Sequence, residues 1–142
     1  IQVANAYRTL LTGENISPRL NRNAIIEINN SINISTEFVS FLLKDLNTVT
    51  SNGGTAYKAF SILGKAADDT GGKTGTAQNP GERNNTSWFV GLDSISDPKH
   101  IIVTVIDEGG SGSAIAAPVT RRIIQNLRGL ELTSVEFGEV TE

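Results

Sequence analysis

The sequence predicts an α/β chain of the α+β kind, with helices first, then a three-stranded antiparallel sheet, then a closing helix packed on it. Three observations predict this. Apolar residues recur at helical spacing in the first half of the chain. Three β-rich runs follow between residues 72 and 107, and a last helical stripe begins after the glycines and serines at 109–113. Helices segregated against an antiparallel sheet are one of the few layered ways to bury both kinds of apolar face.

Ile1, Ala4, Tyr7, Leu10 and Leu11 predict the opening helix, and Gly13 ends it. Ser17-Pro18-Arg19 marks an extended or turn segment, because the residue before proline is pushed out of the helical region. Residues 24–34 alternate loosely around Asn29-Asn30, which predicts a short hairpin. Ser35 is a good N-cap for a helix striped by Phe38, Phe41, Leu42, Leu46 and Val49, with Ile34 placed to staple against Val39 and Gly53-Gly54 to close it. Thr55 is placed to cap one more short helix, from Ala56 to about Ile62. Strands are expected over 72–78, 86–93 and 100–107, the last two joined by a short loop through Asp97-Pro98 and therefore antiparallel. The closing helix, 114–128, carries Ile115, Val119, Ile123, Ile124 and Leu127 on one side. Arg121, Arg122 and Arg128 fall toward its C-terminal end, where the helix dipole favours cations. Residues 130–142 hold four glutamates and little periodicity, and read as a loosely held acidic tail.

At 142 residues the chain has the length of one domain. A net charge of −3 and a pI near 5.2, with no basic stripe, argue against a nucleic-acid partner. Without cysteine there is no disulfide framework and no thiolate metal site, and no metal or cofactor is called for. No apolar run is long enough to span a bilayer. The chain opens on Ile1 inside a helical pattern, with no methionine and no targeting segment, and so reads as a piece of a longer protein.

The most informative segment is Gly71-Gly72-Lys73-Thr74-Gly75-Thr76-Ala77-Gln78. As an edge strand it would place the Thr74 and Thr76 hydroxyls on one face and Lys73 on the other. Gly75 between them lets a ligand or another backbone approach closely. Two hydroxyls and a row of backbone donors suit a carboxylate, while the Lys73 ammonium can hold a charge or shuttle a proton at a buried centre. The rival reading is a phosphate-binding loop, since Ala67 to Thr74 fits a relaxed form of that motif. Its context is wrong: no buried strand precedes it, no helix could begin with Gly75-Thr76-Ala77-Gln78-Asn79-Pro80, and Asp68 and Asp69 would repel phosphates.

Lys73-Thr74-Gly75 is one of three motifs found in penicillin-binding proteins and class A β-lactamases, beside S-x-x-K and S-D-N. Four blocks stand in order here: Gly53-Gly54-Thr55-Ala56, Gly72 to Gln78, Ser87-Trp88-Phe89-Val90-Gly91 and Ala116-Ala117-Pro118-Val119. With Ile1 to Tyr7 as the preceding helix, residues 1–129 resemble the C-terminal portion of a class B penicillin-binding protein transpeptidase domain, with 130–142 as the appended tail. The resemblance implies the serine β-lactamase/D,D-peptidase-like fold and a parent that cross-links peptidoglycan stem peptides by serine acyl transfer. β-Lactam antibiotics would acylate that parent as substrate mimics.

The resemblance implies that Thr74, Gly75 and Thr76 bind the terminal carboxylate, and that the Thr76 backbone N–H forms half of an oxyanion hole. Lys73 would help carry protons. The nucleophilic serine of S-x-x-K and the serine of S-x-N belong upstream of the matching region. Ser96-Asp97-Pro98-Lys99 and Ser31-Ile32-Asn33 spell those strings out of place and out of order. The piece alone is therefore expected to be inactive, to lack the upstream half of its domain, and, through the apolar surface left bare, to self-associate or come with a partner chain carrying that upstream half. A β-lactam sensor module or a serine β-lactamase relative is the alternative, which the Trp-Phe-Val-Gly and Ala-Ala-Pro blocks disfavour. The parent's expected place is the outer face of the bacterial cytoplasmic membrane. Among the remaining residues, Trp88 and Phe89 read as packing on opposite faces, His100 as a surface or capping residue, and Asp107-Glu108 as neighbours facing opposite ways.

Overall fold

A computed structural model describes residues 1–138; the last four residues of the acidic tail lie outside the described residues. The chain divides into two compact units, residues 1–42 and residues 43 onward, with the boundary inside one helix.

In the first unit, helix α1 (Gln2–Thr12) ends at Gly13, whose φ of 75° lets its N–H return to the Thr9 carbonyl at 2.8 Å. Strand β1 (Glu14–Ile16) follows and pairs antiparallel with β2 (Ile28–Ser31). The expected hairpin at 24–34 is thus corrected. Asn29 and Asn30 lie within β2, and Asn15 Nδ2 donates to Asn30 Oδ1 at 2.9 Å across the pair. The alternation was real, but its partner strand lies beyond the Pro18 segment. Asn5 reaches from α1 to Asn15 Oδ1 and the Ile16 carbonyl, and Arg8 forks onto Glu14. Polar side chains therefore fasten the helix to the small sheet.

Helix α2 (Thr36–Thr50) starts as the sequence predicts, with Ser35 Oγ accepting the Phe38 N–H at 3.1 Å. Its stripe is only partly used. Leu46 is buried, whereas Phe41 is 63% exposed. The expected short helix is α3 (Tyr57–Phe60), but helical turns of 3-10 type continue from Ser61 to Asp69 with a break at Gly64. Thr55 does not cap α3, whose N-cap is Ala56 without a side-chain bond.

The second unit is built on a sheet of β3 (Gly71–Ala77), β4 (Thr86–Leu92) and β5 (Ile101–Ile106), antiparallel in that order. A π-type turn at Gly112–Ala116 leads into α4 (Ala117–Leu127). The core is Ala56, Phe60, Phe89, Ala116, Ala117 and Ile124, with the Phe60 and Phe89 ring centroids 5.6 Å apart. Helix α4 is rotated from the expected stripe. Ala117, Thr120, Arg121 and Ile124 are buried, while Ile123 and Leu127 are partly exposed. The reason is close approach. A Cβ on Gly91 would stand 2.5 Å from Thr120 Cγ2, and Thr104 Oγ1 meets Thr120 Oγ1 at 2.7 Å, so small residues face the sheet.

The arginines also differ from expectation. Arg121 is 2% exposed, and its guanidinium donates to Gln125, Thr133 and the Ser134 carbonyl. Burial and the neighbouring Arg122 draw its pKa down. Gln125 Nε2 reaches the Glu131 carbonyl, and Arg122 the Thr133 carbonyl. Residues 131–134 are therefore tied to α4 by side chains, not loosely held. Arg128 instead caps the carbonyls of Ala66 and Asp93.

Candidate carboxylate-binding strand

Strand β3 is an edge strand, paired only with β4 among the described residues. Its approach is fixed by α2: Thr50 Oγ1 and Asn47 Nδ2 donate to the Thr70 carbonyl at 2.9 and 2.7 Å. The glycine pair that opens the strand is required by packing. A Cβ on Gly71 would lie 2.4 Å from Ile95 Cδ1, and one on Gly72 would lie 2.4 Å from the Val90 carbonyl oxygen and 2.5 Å from Phe89 Cζ.

The register pairs Thr74 with Phe89 and Thr76 with Ser87, and pairs Lys73 with Val90 and Gly75 with Trp88. Because directly opposed residues share a face, Thr74 and Thr76 lie on one side and Lys73 and Gly75 on the other. Gly75 faces the base of Trp88, whose Cβ would stand 3.1 Å from an added methyl. Phe89 is fully buried and Trp88 half-buried on opposite faces.

Both hydroxyls already have protein partners. Thr74 Oγ1 lies 3.2 Å from Thr55 Oγ1, and Thr76 Oγ1 accepts the Gly112 N–H at 3.3 Å. Thr76 remains exposed and Thr74 half-buried. Lys73 is not enclosed by the described residues. The side chain is exposed, and Nζ donates to the Thr74 carbonyl at 2.7 Å. Thr55, the partner of the Thr74 hydroxyl, was not foreseen beside this strand. Its presence in the Gly-Gly-Thr-Ala block was the available signal, but spacing alone made it a helix cap. Beside it opens a cavity of about 660 Å³, lined by Thr55, Lys58, Ser113, Pro118 and Phe137.

The other singled-out residues are structural. Ser96 N–H and Ile95 N–H donate to Asp69 Oδ1 at 2.8 and 3.1 Å, holding the Ser94–Asp97 loop, so the S-x-x-K string is no helix start. His100 Nδ1 meets the buried Asp93 carboxylate at 2.6 Å. Asp107 and Glu108 were expected to face apart, yet both grip Arg83, at 3.0 and 2.8 Å. The strand ends at Ile106, and Glu108 has a φ of 54°, which turns its side chain back. Among the described residues, no cluster of three His, Cys, Asp or Glu side chains could hold a metal ion.

Comparison with known proteins agrees with this architecture. The family description "Penicillin binding protein transpeptidase domain" matches residues 1–125. The peptidoglycan D,D-transpeptidase MrdA of Haemophilus influenzae is 30% identical over 104 residues, 63% of this chain and 16% of that protein. The crystal structure of Pseudomonas aeruginosa PBP2 in complex with WCK 5153 superposes with a TM-score of 0.67 at 20% identity, covering 94% of this chain and 31% of that one. The D,D-transpeptidase domain of a peptidoglycan glycosyltransferase from Eggerthella lenta superposes with a TM-score of 0.64 at 24% identity, covering 90% and 32%. The chain belongs to the penicillin-binding protein transpeptidase domain family. It spans 16% of the length of the Haemophilus relative and about a third of each solved chain.

Proposed function

We propose that the chain supplies the carboxylate-gripping strand of a class B penicillin-binding protein, a D,D-transpeptidase that cross-links peptidoglycan stem peptides and is acylated by β-lactams. The observation that carries this reading is the pair of hydroxyls, Thr74 and Thr76, on one face of an edge strand with Gly75 between them. In this role Thr74 and Thr76 donate to the terminal carboxylate of the donor peptide or the drug, and Gly75 keeps the approach open. The Thr76 backbone N–H polarises the carbonyl under attack, and Lys73 carries charge and protons toward the leaving amine. The attacking serine comes from outside residues 1–142, and residues 1–129 form the transpeptidase portion with 130–142 appended. The whole protein works on the outer face of the bacterial cytoplasmic membrane, held by an anchor outside this sequence.

A fluorescent penicillin tests this. It should label the full-length protein covalently and leave residues 1–142 alone unlabelled. Thr76→Val in the full-length protein should slow acylation about ten- to a hundredfold, the loss of one hydrogen bond to a charged group. Labelling of the isolated chain would show that a nucleophile lies within it, and undiminished labelling of the variant would remove Thr76 from the site.

A further inference from the structure

The turn after β5 packs against β3. Gly112 comes so close to it that an added Cβ would lie 2.4 Å from both the Gly75 and Trp88 carbonyl oxygens and 3.0 Å from the Gly75 nitrogen. From there its N–H donates to Thr76 Oγ1 at 3.3 Å. The turn is fastened by Ser87, the cross-strand partner of Thr76. Ser87 is fully buried, its Oγ donates to the Ser111 carbonyl at 3.0 Å, and the same oxygen accepts the Ala116 N–H at 3.0 Å.

A threonine hydroxyl has one hydrogen to donate and two lone pairs that accept. The Gly112 N–H fills one acceptor position, which leaves the hydroxyl hydrogen to turn toward a ligand and polarises it for donation. With that position filled, one lone pair is left to accept from a neutral amide, while donation to an anion is strengthened. We propose that Gly112, anchored by Ser87, is a positioning residue that biases the Thr76 hydroxyl toward donating. It thereby raises the preference of the strand for a C-terminal carboxylate over a C-terminal amide, because the bond to a charged acceptor gains more. Gly112 touches no ligand itself. The inference rests on the carboxylate-binding reading of β3.

The test uses the whole chain and two probes, N-acetyl-D-alanyl-D-alanine and its C-terminal amide, titrated by NMR. Wild type should bind the carboxylate about tenfold or more tightly than the amide, as a charge-assisted bond implies. Gly112→Ala should collapse that ratio. Because its methyl would strike backbone, Ser87→Ala, which adds no atoms, serves as the second variant and should lower the ratio several-fold. Thr76→Val should abolish the preference, Thr76→Ser should keep it, and Ser87→Ala should add nothing on the Thr76→Val background. In parallel, the Gly112 amide should exchange faster in Thr76→Val but not in Thr76→Ser.

An undiminished ratio in Ser87→Ala overturns the inference. So does an equal drop on the Thr76→Val background, or unchanged Gly112 exchange in Thr76→Val. A wild-type chain without carboxylate preference sinks the underlying reading instead, before any variant is compared, and the inference falls with it.

Discussion

Gly72→Ala perturbs the site without touching any group proposed to meet a ligand. The new methyl would stand 2.4 Å from the Val90 carbonyl oxygen and 2.5 Å from Phe89 Cζ. The ring can tilt, although Phe89 is fully buried against Phe60 and has little room. The carbonyl belongs to the paired strand and moves only if β3 and β4 separate. Overpacking of this kind costs about 1–3 kcal/mol. For a domain of this size that corresponds to a drop in Tm of about 2–12 °C. Thermal and urea unfolding followed by far-UV circular dichroism would measure it. The strain falls two residues before Thr74, so the displaced strand should also lose carboxylate binding. A variant within about 0.5 kcal/mol of wild type, the range of neutral surface changes, would refute the close packing at Gly72.

Three further outcomes follow from other contacts. Thr133→Val leaves the buried Arg121 guanidinium short of an acceptor; it should cost about 1–3 kcal/mol in a urea melt and speed amide exchange over 131–138, and no change in either would remove the clamp. Asp69 concerns pH: burial works to raise its pKa, but hydrogen bonds from Ser96, Ser94 and Ile95 outweigh it and hold the carboxyl below its ordinary value. A depressed folded-state pKa gives stability that is full above the unfolded value, near 3.9, and is lost as pH falls through the folded value. Asp69→Asn should therefore be less stable at pH 7 and lose less on acidification below about pH 4, so parallel acid limbs would contradict this. Finally, Leu20, Ile25 and Phe41 are 93%, 85% and 63% exposed, which predicts concentration-dependent association in light scattering; a monomer at every concentration would exclude it.

The sheet was legible because its strands carry their own signals. Each is a β-rich run with glycine or proline nearby, and the antiparallel pairing of the last two follows from the Asp93–His100 connection. Three features were not legible, for separate reasons. The β1–β2 pair joins segments on either side of Pro18, and local alternation cannot say which distant strand is its partner. Helix α4 buries Thr120 and Arg121 in place of Ile123 and Leu127, because contact with Gly91 and residues 133–134 overrides the apolar count. In the site, strand parity correctly placed Thr74 and Thr76 together and Lys73 opposite. Parity cannot foresee that Thr55 and Gly112, 19 and 36 residues away along the chain, take up the two hydroxyls.

Trp88, the sole tryptophan of the chain, sits half-buried across from Gly75 on the Lys73 side of the sheet. Its indole therefore lies one strand away from anything that docks along the β3 edge. The molecule carries its own optical gauge: emission excited at the red edge of protein absorption reports on that single position, with no dye and no engineered label. Occupancy of the strand becomes readable in a cuvette.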